Sequence, residues 1–136
     1  MSENLPAPPS PMHWRLNAEN YRLIGSKCGD CGHSTYPRRK ICPICGSFNN
    51  NEHKLSKTGT VHTYCINYVL PPQIEPPAAL AIVDLDGGGR YQALITDVSN
   101  PEDIKIGAKV ELVLRKILSD RGVDLYGYKF RLIEEG

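Results

Sequence analysis

The chain has 136 residues, 16 basic and 15 acidic side chains and a formal net charge of +1. This length fits one ordinary domain, or a small domain with an appendage, and excludes a two-lobed enzyme. Hydrophobic residues at 40% and charged residues at 23% are close to globular averages, which excludes a disordered chain or a coiled coil. The balanced charge argues against a dedicated non-specific nucleic-acid binder.

The charge is nevertheless uneven along the chain. Residues 13–57 carry eight basic and three acidic side chains, whereas residues 58–136 carry eight and eleven. Residues 13–57 therefore have a net positive charge and residues 58–136 a net negative charge.

Residues 1–11 contain four prolines, a composition that predicts a flexible, extended tail. The first residues lack the cationic and apolar regions of a secretory signal. The apolar stretches, such as 78–83, are far shorter than the roughly 20 residues that span a bilayer. We therefore expect a soluble protein in the cytoplasm, without a membrane partner.

Residues 12–23 predict a short helix, because Trp14, Tyr21 and Leu23 lie among polar neighbours. Its apolar stripe is too small to stabilise an isolated helix, so we expect the aromatic side chains to pack against another surface. Packing on the domain that follows is the plainer interpretation, and a partner-binding anchor at Trp14 is the alternative.

Residues 24–57 predict a small zinc ribbon of short strands and tight turns. Two Cys-x-x-Cys-Gly knuckles contain the pairs Cys28 and Cys31, and Cys42 and Cys45. Zinc prefers four tetrahedral ligands, and two residues between cysteines let one turn present both thiolates. Iron in a rubredoxin-like site is the chemical alternative. Two matched pairs argue against a redox dithiol.

Four thiolates fill a tetrahedral coordination sphere, so the sequence predicts a structural metal site rather than a catalytic one. His33 and His53 are then unnecessary as ligands, and we expect them on the surface. Cys65 stands in the middle of a predicted strand, where a small, buried core residue is the expected role.

Residues 58–136 predict a five-stranded OB-fold, a small Greek-key barrel, and make the chain mainly β. The expected strands are residues 59–70, 78–86, 90–98, 108–118 and 123–133. In the last strand Tyr126, Tyr128, Phe130 and Leu132 should share one face. A sandwich or an SH3-like barrel is the alternative fold. We expect the ribbon and the barrel to have separate cores.

Catalytic motifs are absent from the sequence: it contains no Gly-rich phosphate loop, no Gly-x-Ser-x-Gly elbow and no His-Glu-x-x-His helix. Asp84 and Asp86 are better placed to solubilise a hairpin tip than to act as a carboxylate pair. The run Arg38-Arg39-Lys40 suits a phosphate or an acidic partner, or is a solvated loop. We therefore expect a protein that is not an enzyme.

The segment Tyr21–Cys28, together with Tyr36-Pro37-Arg38 and the Cys42–Ser47 knuckle, resembles the acyl-CoA-associated zinc-ribbon/OB-fold family, domain of unknown function thirty-five. The resemblance covers nearly the whole chain after Pro11. It implies an N-terminal helix, a rubredoxin-like ribbon and a C-terminal OB-fold, with the four cysteines as zinc ligands.

The same resemblance implies a scaffold that bridges acetoacetyl-CoA thiolase and hydroxymethylglutaryl-CoA synthase in the mevalonate pathway of isoprenoid biosynthesis. Such a scaffold aids transfer of the acyl intermediate and supplies contacts rather than catalytic groups. Arg38 matches a family basic residue that would contact a CoA phosphate. The alternatives are an acyl-CoA-binding accessory subunit of another thiolase, a free acyl-CoA carrier and a nucleic-acid-binding OB module.

Overall fold

The computed structural model describes residues 10–134, apart from the side chains of residues 10–14 and Asp120. The predicted tail at residues 1–11 therefore falls almost entirely outside the described residues. Helix α1 spans Ser10–Arg22, two residues earlier than expected at its start. Among the described residues, no helix is long and apolar enough to cross a membrane.

The ribbon is a three-stranded antiparallel sheet in the order β2-β1-β3. Its strands are β1 (Ile24–Cys28), β2 (Ser34–Thr35) and β3 (Asn50–Lys54). The chain passes from α1 into β1 through Leu23, which is fully buried and has a φ of 53°. The Leu55 N–H donates to the Leu23 carbonyl at 2.8 Å, so the two ends of the ribbon are joined.

Five strands form a closed barrel in the order β4-β5-β6-β8-β7. They are β4 (Thr58–Asn67), β5 (Ala78–Leu85), β6 (Arg90–Thr96), β7 (Lys109–Asp120) and β8 (Val123–Leu132). Among the described strands, only β6 and β8 pair in parallel, through the register Ile95 to Phe130. A 3-10 turn at Pro101–Asp103 leads towards β7. This closed five-stranded arrangement confirms the predicted OB-fold.

The expectation that Cys65 is buried is wrong. The pairing of β4 with β5 shifts between Val61 and Thr63, which is a β-bulge. One extra residue reverses the side-chain alternation beyond it. Tyr64 therefore pairs with buried Ala81 and packs against the core, whereas Cys65 is exposed.

The expectation of separate cores is also wrong. Leu23 and Leu55, which flank the ribbon sheet, belong to the same buried cluster as Val61, Val83 and Phe130 of the barrel. The Tyr36 ring of the ribbon lies 5.3 Å from the Tyr91 ring of β6, measured between centroids. The ribbon and the barrel therefore pack as one unit.

The apolar face predicted for β8 is present only in the C-terminal part of the strand. Phe130 is fully buried and Tyr128 and Leu132 are partly buried, but Tyr126 is 51% exposed. The reason is that β4 pairs only with the first residues of β7, Lys109–Glu111. The rest of the β7–β8 hairpin extends beyond the closed part of the barrel, and Tyr126 lies on that extension.

Candidate metal centre and its surroundings

The structure brings the four knuckle cysteines together. Their sulfur atoms all lie within 4.8 Å of one another. The Cys28 and Cys45 sulfurs are 3.6 Å apart, and the Cys31 and Cys42 sulfurs 3.5 Å apart. These distances are too long for disulfide bonds, which measure about 2.05 Å. The group therefore consists of four free thiols facing a common centre.

The two knuckles have the same local structure. The Gly32 N–H donates to the Cys28 carbonyl at 3.1 Å, and the Gly46 N–H donates to the Cys42 carbonyl at 3.0 Å. Both glycines have a left-handed φ, 75° and 73°, which glycine adopts at no steric cost. The glycine after each cysteine pair thus closes the turn.

Hydrogen bonds polarise the first cysteine of each knuckle. The Cys45 and Ile44 N–H groups are the main cause that lowers the pKa of Cys42, to about 6. The Cys31 and Asp30 N–H groups lower the pKa of Cys28 in the same way. Backbone donors that favour the thiolate are the environment that a metal-binding cysteine requires.

The second cysteine of each knuckle behaves in the opposite way. At Cys45 the Ser47 N–H favours the thiolate, but the neighbouring thiols, Cys28 first, and burial together raise the pKa. Crowded thiols resist losing all their protons because their negative charges repel one another. A cation at the centre removes that repulsion, so the cluster is suited to a metal ion.

A tetrahedral zinc ion fits this group. Sulfur ligands at about 2.3 Å from zinc lie about 3.8 Å from one another, close to the observed separations of 3.5 and 3.6 Å. Four thiolates leave the ion no position for water or substrate. Zinc here would hold the two knuckles together and stabilise the fold, since the ribbon sheet has few buried side chains of its own.

The other predicted residues lie away from this group. Among the described residues, the cluster that could hold a metal contains no histidine. His33 is exposed, as expected, and His53 is half-buried. Asp84 pairs with His62 at 3.0 Å and with Arg90, whereas Asp86 accepts from the Thr58 hydroxyl at 2.7 Å. The two carboxylates therefore have separate structural contacts.

Arg38 lies on the ribbon surface with half of its side chain exposed. Its guanidinium is 3.5 Å from the Glu52 carboxylate and 4.0 Å from that of Glu19. Two carboxylates near one guanidinium offset its charge, which weakens its attraction for a phosphate.

A tyrosine-lined groove was not found from the sequence. It has a volume of about 520 Å³ and lies where β6 and β8 diverge, beside the C-terminal half of α1. Its aromatic lining residues are Tyr21, Tyr36, Tyr91, Tyr126 and Tyr128. They come from four distant segments. The parallel pairing of β6 with β8 brings Tyr91 near Tyr126 and Tyr128, whereas Tyr21 and Tyr36 join them by packing of α1 and the ribbon on the barrel.

Comparison with known proteins agrees with this architecture. Residues 18–51 match the family model "ChsH2, rubredoxin-like zinc ribbon domain", and residues 52–115 match "ChsH2, C-terminal OB-fold domain". The second match ends inside β7, although the barrel continues to Leu132. The chain therefore contains a zinc ribbon domain whose four cysteines are positioned to bind a metal ion.

Three individual proteins illustrate the similarity. A DUF35 domain-containing scaffold protein of Pyrococcus furiosus is 48% identical over 89% of this chain and 90% of its own length. The benzoylsuccinyl-CoA thiolase subunit BbsA of Thauera aromatica is 28% identical over 82% of this chain and 76% of its own length. The solved Ltp2-ChsH2(DUF35) aldolase aligns with a TM-score of 0.66 and 30% identity, covering 89% of this chain and 92% of that chain.

The zinc-ribbon and OB-fold matches follow each other along the chain without a gap, and the archaeal relative is similar over almost the full length of both proteins. The chain therefore belongs to the DUF35 family of zinc-ribbon/OB-fold scaffold proteins.

Proposed function

We propose that this protein is a non-catalytic, zinc-containing scaffold that joins a thiolase-type enzyme to a second acyl-CoA enzyme in the cytoplasm. The specific pair in the proposal is acetoacetyl-CoA thiolase and hydroxymethylglutaryl-CoA synthase of the mevalonate pathway. Holding both enzymes in one complex would shorten the path of the acetoacetyl-CoA intermediate. A relative named as a thiolase subunit, together with a homologous chain in the Ltp2-ChsH2 aldolase, supports a thiolase-type partner.

The observation that carries the bridging role is the position of two exposed apolar clusters. The first surrounds the second knuckle of the ribbon, where Phe48 is 79% exposed. The second lies at the start of the β4–β5 loop, where Tyr68 is 68% and Val69 94% exposed. Clusters of large exposed apolar side chains are typical of protein interfaces.

These two clusters lie at opposite ends of strand β5. The hairpin that follows β5 contacts the ribbon, since Gly88 lies against Ser34 and Gly89 against Leu55. The loop that carries Tyr68 and Val69 enters β5 at its other end. Eight residues of strand span about 25 Å at 3.3 Å per residue. Two enzymes could therefore bind at the same time without competing for one surface.

The metal centre has a supporting role in this proposal. We assign Cys28, Cys31, Cys42 and Cys45 as the ligands of one structural Zn²⁺ per chain. When bound, zinc would fix the knuckle that presents Phe48, and it would take no part in acyl transfer because all four positions are filled by sulfur. A CoA-phosphate contact at Arg38 would require the guanidinium to leave Glu52 and Glu19, so we expect this contact only in the complex with an enzyme and not in the isolated chain.

The experiment that tests the function measures pairwise binding and turnover. The zinc-loaded chain should bind immobilised acetoacetyl-CoA thiolase and, separately, hydroxymethylglutaryl-CoA synthase from the same organism. Val69→Ser should weaken binding of the chain to one of the two enzymes and leave binding to the other unchanged. The isolated chain should catalyse neither reaction. Turnover by the purified chain, or absence of binding to both enzymes, would contradict the proposal.

The tyrosine-lined groove favours a second candidate function, an acyl-CoA-binding accessory subunit of another thiolase. Its volume of about 520 Å³ is within the range of small-molecule sites, and Lys129 lines it together with the tyrosines. Calorimetric titration of the isolated chain with acetyl-CoA and acetoacetyl-CoA distinguishes the two. The scaffold proposal predicts no saturable heat, whereas an accessory acyl-CoA-binding subunit requires it.

A further inference from the structure

The second knuckle of the ribbon exposes three large apolar side chains. Ile41 is 50%, Ile44 68% and Phe48 79% exposed. The hydrogen bond from the Cys42 N–H to the Ser47 carbonyl, at 2.9 Å, closes the base of the knuckle, and residues 41 and 48 directly flank this pair along the chain. Ile44 lies in the turn of the same knuckle. We call Ile41, Ile44 and Phe48 the knuckle patch.

The loop that leads into this patch is irregular but fixed. The Arg39 N–H donates to the buried Ser26 hydroxyl at 3.2 Å. The Asn50 side-chain amide donates to the Lys40 carbonyl at 2.9 Å. A surface held in one conformation before binding loses little conformational entropy when a partner docks.

Positive charge accompanies the patch. Phe48 lines a shallow groove of about 510 Å³ together with Arg38, Arg39 and Lys40. Arg38 is paired with Glu52 and Glu19, but no described carboxylate forms an ion pair with Arg39 or Lys40. Glu19 also lines the groove, but it pairs with Arg38. The groove beside Phe48 therefore presents two exposed cations, Arg39 and Lys40, that have no ion-pair partner among the described residues.

We infer that the knuckle patch, with Arg39 and Lys40, is the surface that docks the thiolase partner, and that the thiolase contributes an acidic segment with an apolar side chain. The apolar side chain would pack on Phe48, and neighbouring carboxylates would reach Arg39 and Lys40. This inference rests on the proposed scaffold function. It names the thiolase rather than the synthase because a relative of this chain is named as a thiolase subunit.

A second copy of this chain is the other occupant that the test must separate. The barrel carboxylates Asp84, Asp97 and Glu111 pair with arginines of their own chain, but Glu102 and Asp103 are exposed. A nucleic acid fits less well, because Phe48 is the one ring of the patch, and Ile41 and Ile44 offer none on which further bases could stack.

The test compares variants of the zinc-loaded chain for binding to immobilised thiolase by biolayer interferometry. Phe48→Ala should raise the Kd about 30-fold, mostly through faster dissociation, as expected for a central apolar contact. The double variant Arg39→Glu with Lys40→Glu should slow association about tenfold and flatten its dependence on salt.

Matched controls come from the barrel. Ile106 is 68% exposed, like Ile44, and follows exposed Lys105. Ile106→Ala and Lys105→Glu should leave thiolase binding unchanged. Zinc content and melting temperature, measured for every variant, should equal those of the wild type, which shows that the ribbon has folded.

The outcomes separate this inference from the scaffold function. Wild-type binding that the knuckle variants leave unchanged would overturn the docking surface and leave the scaffold standing. Loss of synthase binding alone would also overturn it, because the inference assigns the patch to the thiolase. The inference would also be overturned if the knuckle variants only dissociated a homodimer, or only abolished salt-sensitive binding of nucleic acid. A wild type that binds neither enzyme would overturn both proposals.

Discussion

Tyr91 links the ribbon to the barrel through its ring. The ring contacts Tyr36 of the ribbon and lies 6.0 Å from the Phe130 ring at the centre of the barrel core. Burial, with smaller contributions from Tyr36 and Tyr128, raises the pKa of Tyr91 to about 12. The folded protein therefore holds the phenol proton more tightly than the unfolded chain does.

This raised pKa predicts a loss of stability in alkali. Below pH 10, the usual pKa of tyrosine, the contribution is fully present, and it declines as pH rises towards 12. Phe at this position has no proton to lose, so the free energy of unfolding of Tyr91→Phe should fall less steeply between pH 9.5 and 11.5. Urea unfolding at each pH measures this free energy. Tyr68→Phe, at a site 68% exposed, is the control, and parallel curves for all three proteins would contradict the prediction.

Single residues also show what sequence alone could predict. The four cysteines were found because their spacing is local: two residues between partners and a glycine after each pair, Gly32 and Gly46, determine the turn. Cys65 was placed wrongly because a β-bulge depends on how β4 pairs with β5, which no local pattern reports.

The bulge in β4 reverses which side chains face the core, so the exposure of Cys65 reports whether β4 pairs with β5 in the observed register. With zinc bound, Cys65 should be the fast-reacting thiol towards a disulfide reagent, because it is exposed and lies outside the metal group. Cys65→Ser should remove that fast phase. Timed absorbance measurements of thiol release count the reacting groups. An unreactive Cys65 in the native protein would show that the strand lacks the bulge.

Helix α1 is attached to the barrel by its C-terminal turn. The Tyr128 hydroxyl donates to the Tyr21 carbonyl, the Tyr36 hydroxyl donates to the Asn20 side chain at 3.0 Å, and the Tyr21 and Tyr128 rings meet edge to face. These contacts confirm that the helix covers the domain that follows it. They lie at the far end of the helix from Trp14.

The anchor role of Trp14 therefore stays a prediction. Tryptophan is enriched at interface hot spots, so Trp14→Ala should weaken co-elution with the thiolase or the synthase by about 2 kcal/mol or more. The melting temperature of the isolated chain should barely change. A sharp fall in melting temperature with unchanged partner affinity would instead identify Trp14 as a packing residue and move the anchor towards Pro71–Pro77.

At the scale of the whole molecule, the metal centre and the barrel are coupled through the shared core. Element types and their order were predictable, because alternating strands and turn residues are local signals. The joint core was not, since Leu23 and Leu55 join it only through long-range packing. The tyrosine-lined groove escaped prediction for the same reason.

The shared core predicts how the protein responds to loss of the metal. Cys42→Ser should abolish zinc binding and loosen the ribbon, and the barrel should then lose contacts with Leu23 and Leu55. Truncation of a buried leucine costs roughly 2–5 kcal/mol, so the melting temperature of the whole protein should fall by about 10 °C or more. Calorimetry should show one transition at lower temperature, with Cys65→Ser as the control. Two separate transitions, one at the wild-type temperature, would show that the barrel is independent.

If one chain holds two acyl-CoA enzymes together, light scattering coupled to size-exclusion chromatography should detect the three-protein complex. The zinc-loaded chain is mixed with acetoacetyl-CoA thiolase and hydroxymethylglutaryl-CoA synthase, and each pair is run as a control. We expect a single peak that contains all three proteins and that forms only when this chain is present. Separate elution of the two enzymes in its presence, at concentrations where each enzyme binds this chain, would show that the chain does not bridge them.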